Sequence, residues 1–580
     1  MMSVTTPGER TVPHEPRIAD ADVEQALADV CDTAVRAELA ALLHQDLGRP
    51  RLLTVDGLLA GMQICADRHR GQVLLDRTTA ILHWAISPDM RERFAIPERP
   101  DDARGFEAGY AVVRRLFHRL VDAMDPSPLP KNHRLDKATA RRLQAAADPA
   151  ALQQHTALLL RTGNAVVDAS LTRLRPHLDA HWDGSTALDA TPVRTYARGL
   201  RTTGPDLATD PDAGWYVREG DHRDPDTLPA QDTRSAKKTG KRQRAVSKAM
   251  FGYDATLAIA RNPHHDGTPR PDGTTDPRVP PAVVTGFTLD KPGHAPGPNA
   301  IRVLADVRRR GHPAGFLAGD RAYNNTTPDD FQLPARALGY RLVFDYRQDQ
   351  LGLQAGTAGA QLIEGTWYCP ALPQALVTAT SDLHRETIDQ GTWMRRIAAR
   401  IPFQLVPKQH PDHEGHQRMS CPAAAGRVQC PLKASSLGRD PRLPLADPEP
   451  SPAGPAKICA QQSITIPPEA GAQHHQALPY GSPDWQRVYF RLRNSVEGFN
   501  GFAKDPLHET IEQPGTRRIR GIAAQTILLA FQLAHANRRK IDRWLATIPP
   551  DGHPPHRRPT RRRPTKPLGS WTPTGHLTPQ

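Results

Sequence analysis

The sequence predicts an α/β protein with three parts: an all-α N-terminal domain, a core of short strands and helices, and an insertion between the last strand of that core and the helix that completes it. Three observations predict it. Apolar residues recur at helical steps up to about residue 176. The texture then changes to short strand-like runs. After a stretch from about 350 to 480 that holds four cysteines and many prolines, the helical pattern returns. Length agrees, since 580 residues exceed a single core at roughly 100–200 residues per domain.

Taken in order, residues 1–18 are polar with prolines and are expected to form a flexible arm. The helical domain spans 19–176. Phe106, Tyr110, Val113, Phe117, Leu120 and Met124 recur at three- and four-residue steps, which is one face of a helix. Leu58, Met62 and Cys65 mark a shorter helix, Pro126, Pro128 and Pro130 break the run, and another long helix reaches to about Leu174. Cys31 and Cys65 fall on helical faces and suit a core. In 177–349, runs at 186–188, 256–260, 283–289, 316–318 and 341–344 read as strands, and 299–310 reads as a helix. Three strands, a helix, a parallel strand, a second helix and a strand is the element order of an RNase H-like core. Residues 350–481 form the insertion. The core resumes over 482–548: Ser482 suits a helix cap, Pro483 the first helical position and Asp484 the helix dipole. A second, apolar-rich helix follows over 517–546. The tail, 549–580, is rich in Pro and Arg and is expected to be disordered.

Composition narrows the function classes. The net charge is +13, which favours an acidic partner, nucleic acid or an anionic membrane. The longest apolar segment, 519–533, is interrupted by Gly521, Gln525 and Gln532 and falls short of the ~20 residues of a membrane span. The first thirty residues contain no apolar run of signal-peptide type. Six cysteines in a chain of this length do not make a disulfide framework, so a reducing cytoplasm is expected. The 57 prolines are about twice the usual ~5% share and concentrate in tails and connectors. The charge therefore points to nucleic acid rather than membrane. The helical N-terminal domain either binds DNA or only packs, and the basic balance favours DNA.

The candidate chemistry starts from acidic residues at strand ends. Asp189 closes Thr-Ala-Leu-Asp-Ala-Thr, and Asp320 closes Phe-Leu-Ala-Gly-Asp-Arg-Ala-Tyr. Carboxylates there stay at a sheet edge, open to a hard cation that keeps several waters. Taken alone, each reads more readily as an ordinary turn aspartate. The third element is the helix around Glu497. At ~100° per residue, Phe490, Arg493, Glu497 and Lys504 share one side. Arg can grip phosphate with two hydrogen bonds and Lys with a point charge. The plain alternative is a solvated face with an (i, i+4) ion pair. Gly498 and Gly501 weigh against it, because each lowers helix stability; they either let another backbone come close or mark the helix end.

These three motifs resemble the DDE transposases of bacterial insertion sequences. More narrowly, the helix is similar to the group with a Tyr-x2-Arg-x3-Glu-x6-Lys signature. Arg493, Glu497 and Lys504 match that spacing. Phe490 stands at the tyrosine position, with Tyr489 one residue early, which puts that tyrosine's phosphate contact in doubt. The resemblance covers about 180–345 and 483–545. It implies an RNase H-like catalytic core in which Asp189, Asp320 and Glu497 hold two Mg²⁺ or Mn²⁺ ions. It implies binding of double-stranded DNA at the element's terminal inverted repeats, hydrolytic strand cleavage, and joining of the 3′-hydroxyl to target DNA. A homodimer on DNA and a nucleoid-associated, cytoplasmic location go with it. The alternative is a catalytically inactive or repurposed relative that only binds DNA.

Three further features stay open. Lys237, Lys238, Lys241 and Arg242, with Arg234, Arg244 and Lys248, form a basic segment that suits sequence-independent phosphate contact or a solvated loop. His410, His413 and His416 precede Cys421 and Cys430, with Cys369 and Cys459 farther away. That set reads either as a structural zinc site or as isolated residues, since Cys-x8-Cys lacks the compact spacing of most zinc modules. Trp367 and Trp485 suit either stacking on an unpaired base or a core.

Overall fold

The computed structural model describes residues 13–44, 52–201, 203–219, 246–265, 279–438, 440–448, 452 and 454–548. The chain is mixed α/β, with an N-terminal helical region leading into a central mixed sheet.

The helical region opens with α1 (Asp20–Val30), α2 (Thr33–Leu42) and α3 (Val55–Arg68). Residues 13–18 are not part of a free arm. Glu15 is buried and pairs with Arg77, His69 and Arg68, and Ile18 joins the core, which fastens this segment to α3. The predicted amphipathic helix is α4 (Ala103–Asp122), capped by Asp102, whose carboxylate accepts from Gly105 N. The second long helix is two: α5 (Lys137–Ala146) and α6 (Pro149–Ala169). Asp148 accepts from Ala150 N and Pro149 opens the new helix, so capping chemistry overrides the continuous apolar pattern. Helix continues past 176, through Arg175–His181.

The sheet has six strands: β1 (Thr186–Arg194), β2 (Gly214–Glu219), β3 (Val246–Ala260), β4 (Val283–Asp290), β5 (Phe316–Ala318) and β6 (Arg341–Val343). The long β3 runs antiparallel to β1 along its whole described register. Its first half pairs with β2 and its second half with β4. On the other side of β1 lie β5 and then β6, both parallel. The edge strand β2 was not predicted. Its Trp215 and Val217 face solvent, so it lacks the apolar run that marks the inner strands.

Alternation along the strands splits the core in two. Leu188, Ala258 and Leu317 pack under α7 (Pro296–Arg309). Ala187, Leu257, Ile259 and Ala318 face the opposite side and share one continuous core with α3, α4 and α6. Two late helices cover the same side: α8 (Pro483–Ala503), on β1 and β5, and α9 (Ile522–Leu545), on β4 and α6. The helical region and the sheet are thus built around shared apolar surface. The outer edge of β4 is sealed by side chains. Asn164 of α6 accepts from Phe287 N at 2.8 Å. Asn537 of α9 accepts from Val284 N and donates to Val284 O, both at 2.9 Å.

The insertion carries two three-stranded sheets: β7–β9 (Leu353–Thr357, Ala360–Ile363, Thr366–Tyr368) and β10–β12 (Val406–Pro407, Gln417–Ser420, Ser463–Ile466). Between them lie short helices, the longest Gln390–Ala399. Elements this short carry too few turns to show a period. A core of its own, with Leu362, Trp367, Phe403 and Ile464, holds the unit together. A buried ion pair, Arg400 Nη1 to Glu364 Oε2 at 2.5 Å, ties the helix Gln390–Ala399 to the turn between β8 and β9. Among the described residues no helix is long and apolar enough to cross a membrane.

Asn537→Ala removes both clamps on Val284 and leaves a buried N–H and C=O unpaired. We expect a loss of about 1–3 kcal/mol in urea unfolding. A change within error would mean that this edge is satisfied without the side chain.

Candidate active site

Asp189 lies inside β1, opposite Leu257 of β3, and β1 continues to Arg194. The expectation that it closes the strand holds for one side only: β1 runs on along β3, while its pairing with β5 stops at Ala187↔Ala318. Asp189 is two residues beyond Ala187 and Asp320 is two beyond Ala318. The parallel register therefore brings both to one level, on strand paths that in a sheet run about 4.8 Å apart. Asp320 caps the short helix Arg321–Asn324, its Oδ1 accepting from Arg321 N at 2.7 Å. The Arg321 guanidinium is fixed in turn by the buried Asp345, at 2.5 Å and 3.1 Å. Asp345 also accepts from Tyr480 Oη at 2.8 Å.

The helix α8 brings the third group. Its cap is as predicted, with Ser482 accepting from Trp485 N and Pro483 in the first turn. It spans Gly498 and Gly501 without a break, so neither glycine marks its end. A side chain at either position would meet nothing within 4 Å, which leaves that stretch of helix open to an approaching backbone. Arg493 stands between two carboxylates: Nη1 is 3.9 Å from Asp189 Oδ1 and Nη2 is 3.6 Å from Glu497 Oε1. Asn500 Nδ2 donates to Asp189 Oδ2 at 3.0 Å. Arg493 Nη1 and Asn500 Oδ1 are buried and have no hydrogen-bond partner among the described residues.

Burial pushes the Asp189 carboxyl up to about 6. Arg493 opposes the shift, and the neighbouring Asp320 and Glu497 add to it. Burial and the charges of Asp189 and Asp320 also hold the Tyr323 phenol well above its ordinary range, so it stays protonated beneath them. A carboxylate kept this costly to ionise is of the kind a cation relieves, and the donors are hard oxygens suited to Mg²⁺. Glu497 stands at the rim, its side chain 66% exposed and turned to Arg493. Among the described residues no three His, Cys, Asp or Glu side chains form a ready-made metal-binding group.

The other expected contacts fall out differently. Lys504 is the first residue past α8 and is held by Glu512 at 2.8 Å. Phe490 is half-buried, edge-on to Trp485 and Tyr489. Tyr489 is stacked on Trp485 inside the core, where burial and the charges of Asp345 and Asp320 hold its phenol well above the ordinary range. Trp485 and Trp367 are both buried, which settles them as core. Lys237, Lys238, Lys241 and Arg242, with Arg234 and Arg244, lie outside the described residues, as does the tail beyond 548. Lys248 is in β3, its side chain undescribed. His410, His413 and His416 do not join Cys421 and Cys430. The histidines sit on the exposed turn between β10 and β11 with Asp412 and Glu414, whereas the cysteines are buried. An imidazole on that turn gains more from water and the nearby carboxylates than from an apolar core.

Sequence reasoning missed Asn500, Asp345 and Lys540. Asn500 was legible, being one turn past Glu497 on the same side of the helix. Asp345 carries no local signal, because its partner is 24 residues away. Lys540 lies over the Phe499 and Phe502 rings and lines a pocket of about 340 Å³ with Arg261, Asn494 and Gly498, beside the open stretch of α8. Burial pushes its ammonium down to about 8, with Arg261 and Arg539 adding repulsion.

Compared with family models, with curated proteins and with solved structures, the chain has no match.

Asp189→Asn keeps the shape and removes the charge. A carboxyl raised from 3.8 to about 6 is neutral in both folded and unfolded chains only below pH ~3. Its cost to stability grows as pH rises from 3.8 to 6, where only the unfolded chain ionises, and levels off above that at about 3 kcal/mol. Asp189→Asn should therefore raise the Tm at pH 7.5 and leave it nearly unchanged at pH ~3. Equal or lower stability at pH 7.5 would contradict the burial argument.

Proposed function

We propose that this chain is a DNA transposase of the DDE type, with an RNase H-like core, that cleaves DNA at the ends of an insertion sequence and joins the 3′-hydroxyl to target DNA. The observation that carries the reading is the level placement of Asp189 and Asp320 on adjacent parallel strands, with Arg493 and Glu497 packed over them from a helix some 300 residues later in the chain. The sheet order supports the core assignment: antiparallel strands on one side of β1, parallel strands on the other. The +13 charge suits double-stranded DNA, bound by a dimer that brings two ends together.

Asp189, Asp320 and Glu497 would hold Mg²⁺ or Mn²⁺, which when bound supplies an activated water and neutralises charge at the scissile phosphate. The chain's own residues do the positioning. Arg493 balances the half-buried carboxylate and holds Glu497 at the rim. Asn500 fixes the Asp189 carboxylate by one hydrogen bond, leaving its own oxygen over for a water or a hydroxyl. Arg321 and Asp345 set the turn that presents Asp320. Lys540, desolvated among apolar rings and other cations, gains from a phosphate at the open glycine stretch.

A repurposed DNA-binding relative is the second reading, favoured by the exposure of Glu497, whose side chain is 66% accessible and paired with Arg493. One experiment separates the two: cleavage of a duplex carrying the terminal inverted repeats, with Mg²⁺ or Mn²⁺, by the wild-type chain and by Glu497→Gln. We expect metal-dependent cleavage by the wild type, lost by at least 100-fold in the variant, with DNA binding kept. Equal binding with no cleavage by either would leave the DNA-binding relative.

A further inference from the structure

The insertion holds four of the chain's six cysteines, and the fold gathers them. Strands β9 and β10 are joined at Tyr368↔Gln404, β10 and β11 at Val406↔Ser420, and β11 and β12 at Ser420↔Ser463. Cys369 follows β9, Cys421 follows β11 and Cys459 precedes β12, so all three leave one end of this strand array. Cys369 N donates to Phe403 O and Cys421 N to Gln462 O, both at 2.9 Å. Cys430 comes in on a turn fastened to the same end by Lys433 Nζ on Gln461 O, 3.1 Å. Every one of the four lies within electrostatic reach of the other three. All are buried and none is in a disulfide.

Their local backbone is of one kind. Cys369, Cys421 and Cys430 each precede a proline. Each opens a turn closed on its own carbonyl, by Leu372 N at 3.1 Å and by Ala425 N and Lys433 N at 2.9 Å. The N–H of Ala371 faces the Cys369 sulfur, and those of Leu432 and Lys433 face the Cys430 sulfur. Burial pushes both thiols up, and amides aimed at sulfur oppose that shift, as they would for a metal-bound thiolate. Buried cysteines scattered as small hydrophobes have no reason to converge from four chain segments 52, 9 and 29 residues apart. The surrounding unit has short elements and a small core, the setting in which a metal staple contributes most.

We propose that Cys369, Cys421, Cys430 and Cys459 are the four ligands of one structural zinc ion in the insertion. As they stand the thiols are not a ready-made metal group. The ion draws the sulfurs in from their turns, taking up four thiolates and releasing the four thiol protons, and Lys433 lies close enough to offset part of the resulting negative charge. This site is independent of the proposed activity and differs from the histidine-containing set that the sequence left open.

The test uses the full chain purified under reducing conditions. Elemental analysis and native mass spectrometry should give one zinc per chain, and replacement by Co²⁺ should give thiolate-to-cobalt charge transfer with tetrahedral visible bands. Cys421→Ser and Cys459→Ser should each lose the metal and lower the Tm. Combined His410→Ala, His413→Ala and His416→Ala should keep both. The cobalt spectrum needs no variant, so a misfolded serine mutant does not decide the matter. Absence of zinc together with no thiolate spectrum on reconstituting the reduced wild type overturns the proposal. So does a metal that persists in Cys421→Ser or departs with the histidines.

Discussion

The Asp189 carboxylate is half-buried on a sheet face where its charge is costly, and the molecule meets that cost from one helix. Arg493 supplies the opposing charge and Asn500 a hydrogen bond, both from α8. This contact spans more than 300 residues of sequence, and it determines where α8 crosses β1 and hence where Glu497 stands. The compensation is incomplete, since the carboxyl remains pushed up to about 6. Buried charge left partly unbalanced is a typical mark of a site built to act on something rather than to stabilise the fold.

The rest of the core serves that crossing. Period-two alternation assigns α7 to one face of the sheet and the remaining helices to the other, and Asp189 follows Ala187 onto the side that α8 covers. Asn164 and Asn537 close the far edge of β4. An edge strand with free backbone groups is a template for pairing with other chains, and two amide side chains from flanking helices remove it. The insertion leaves the sheet after β6 and returns at α8 carrying its own core, and its last residues are tied back to the sheet by Gln476 on Phe344 N and Tyr480 on Asp345.

Much of this was legible. Strand runs around Leu188, Leu257 and Leu317, the cap at Ser482 and the spacing of Arg493 and Glu497 are local patterns, and local patterns were read at about the right places. What escaped was set by contacts distant in sequence. The clamp of Arg321 by Asp345, the burial of Glu15 by α3, and the meeting of Cys369 with Cys459 have no periodic signature, because each depends on which strand lies beside which. The histidines near Cys421 illustrate the same limit: closeness along the chain is not closeness in space, and the fold keeps them on an exposed turn while the cysteines are buried. The helix break at Asp148 shows the opposite error, a local capping signal overlooked beneath a continuous apolar stripe.

The distance along the chain from Asp189 to α8 also bears on how the protein is made. A ribosome adding about 5–20 residues per second reaches Arg493 roughly 15–60 s after Asp189. Throughout that interval the strand bearing the half-buried carboxylate has no guanidinium to meet it, and the insertion must emerge in between. The nascent chain therefore cannot close its carboxylate cluster until α8 has emerged, and any product truncated before α8 lacks the guanidinium that faces Asp189. Assembly of the site is therefore tied to the emergence of α8, long after the strand that it covers.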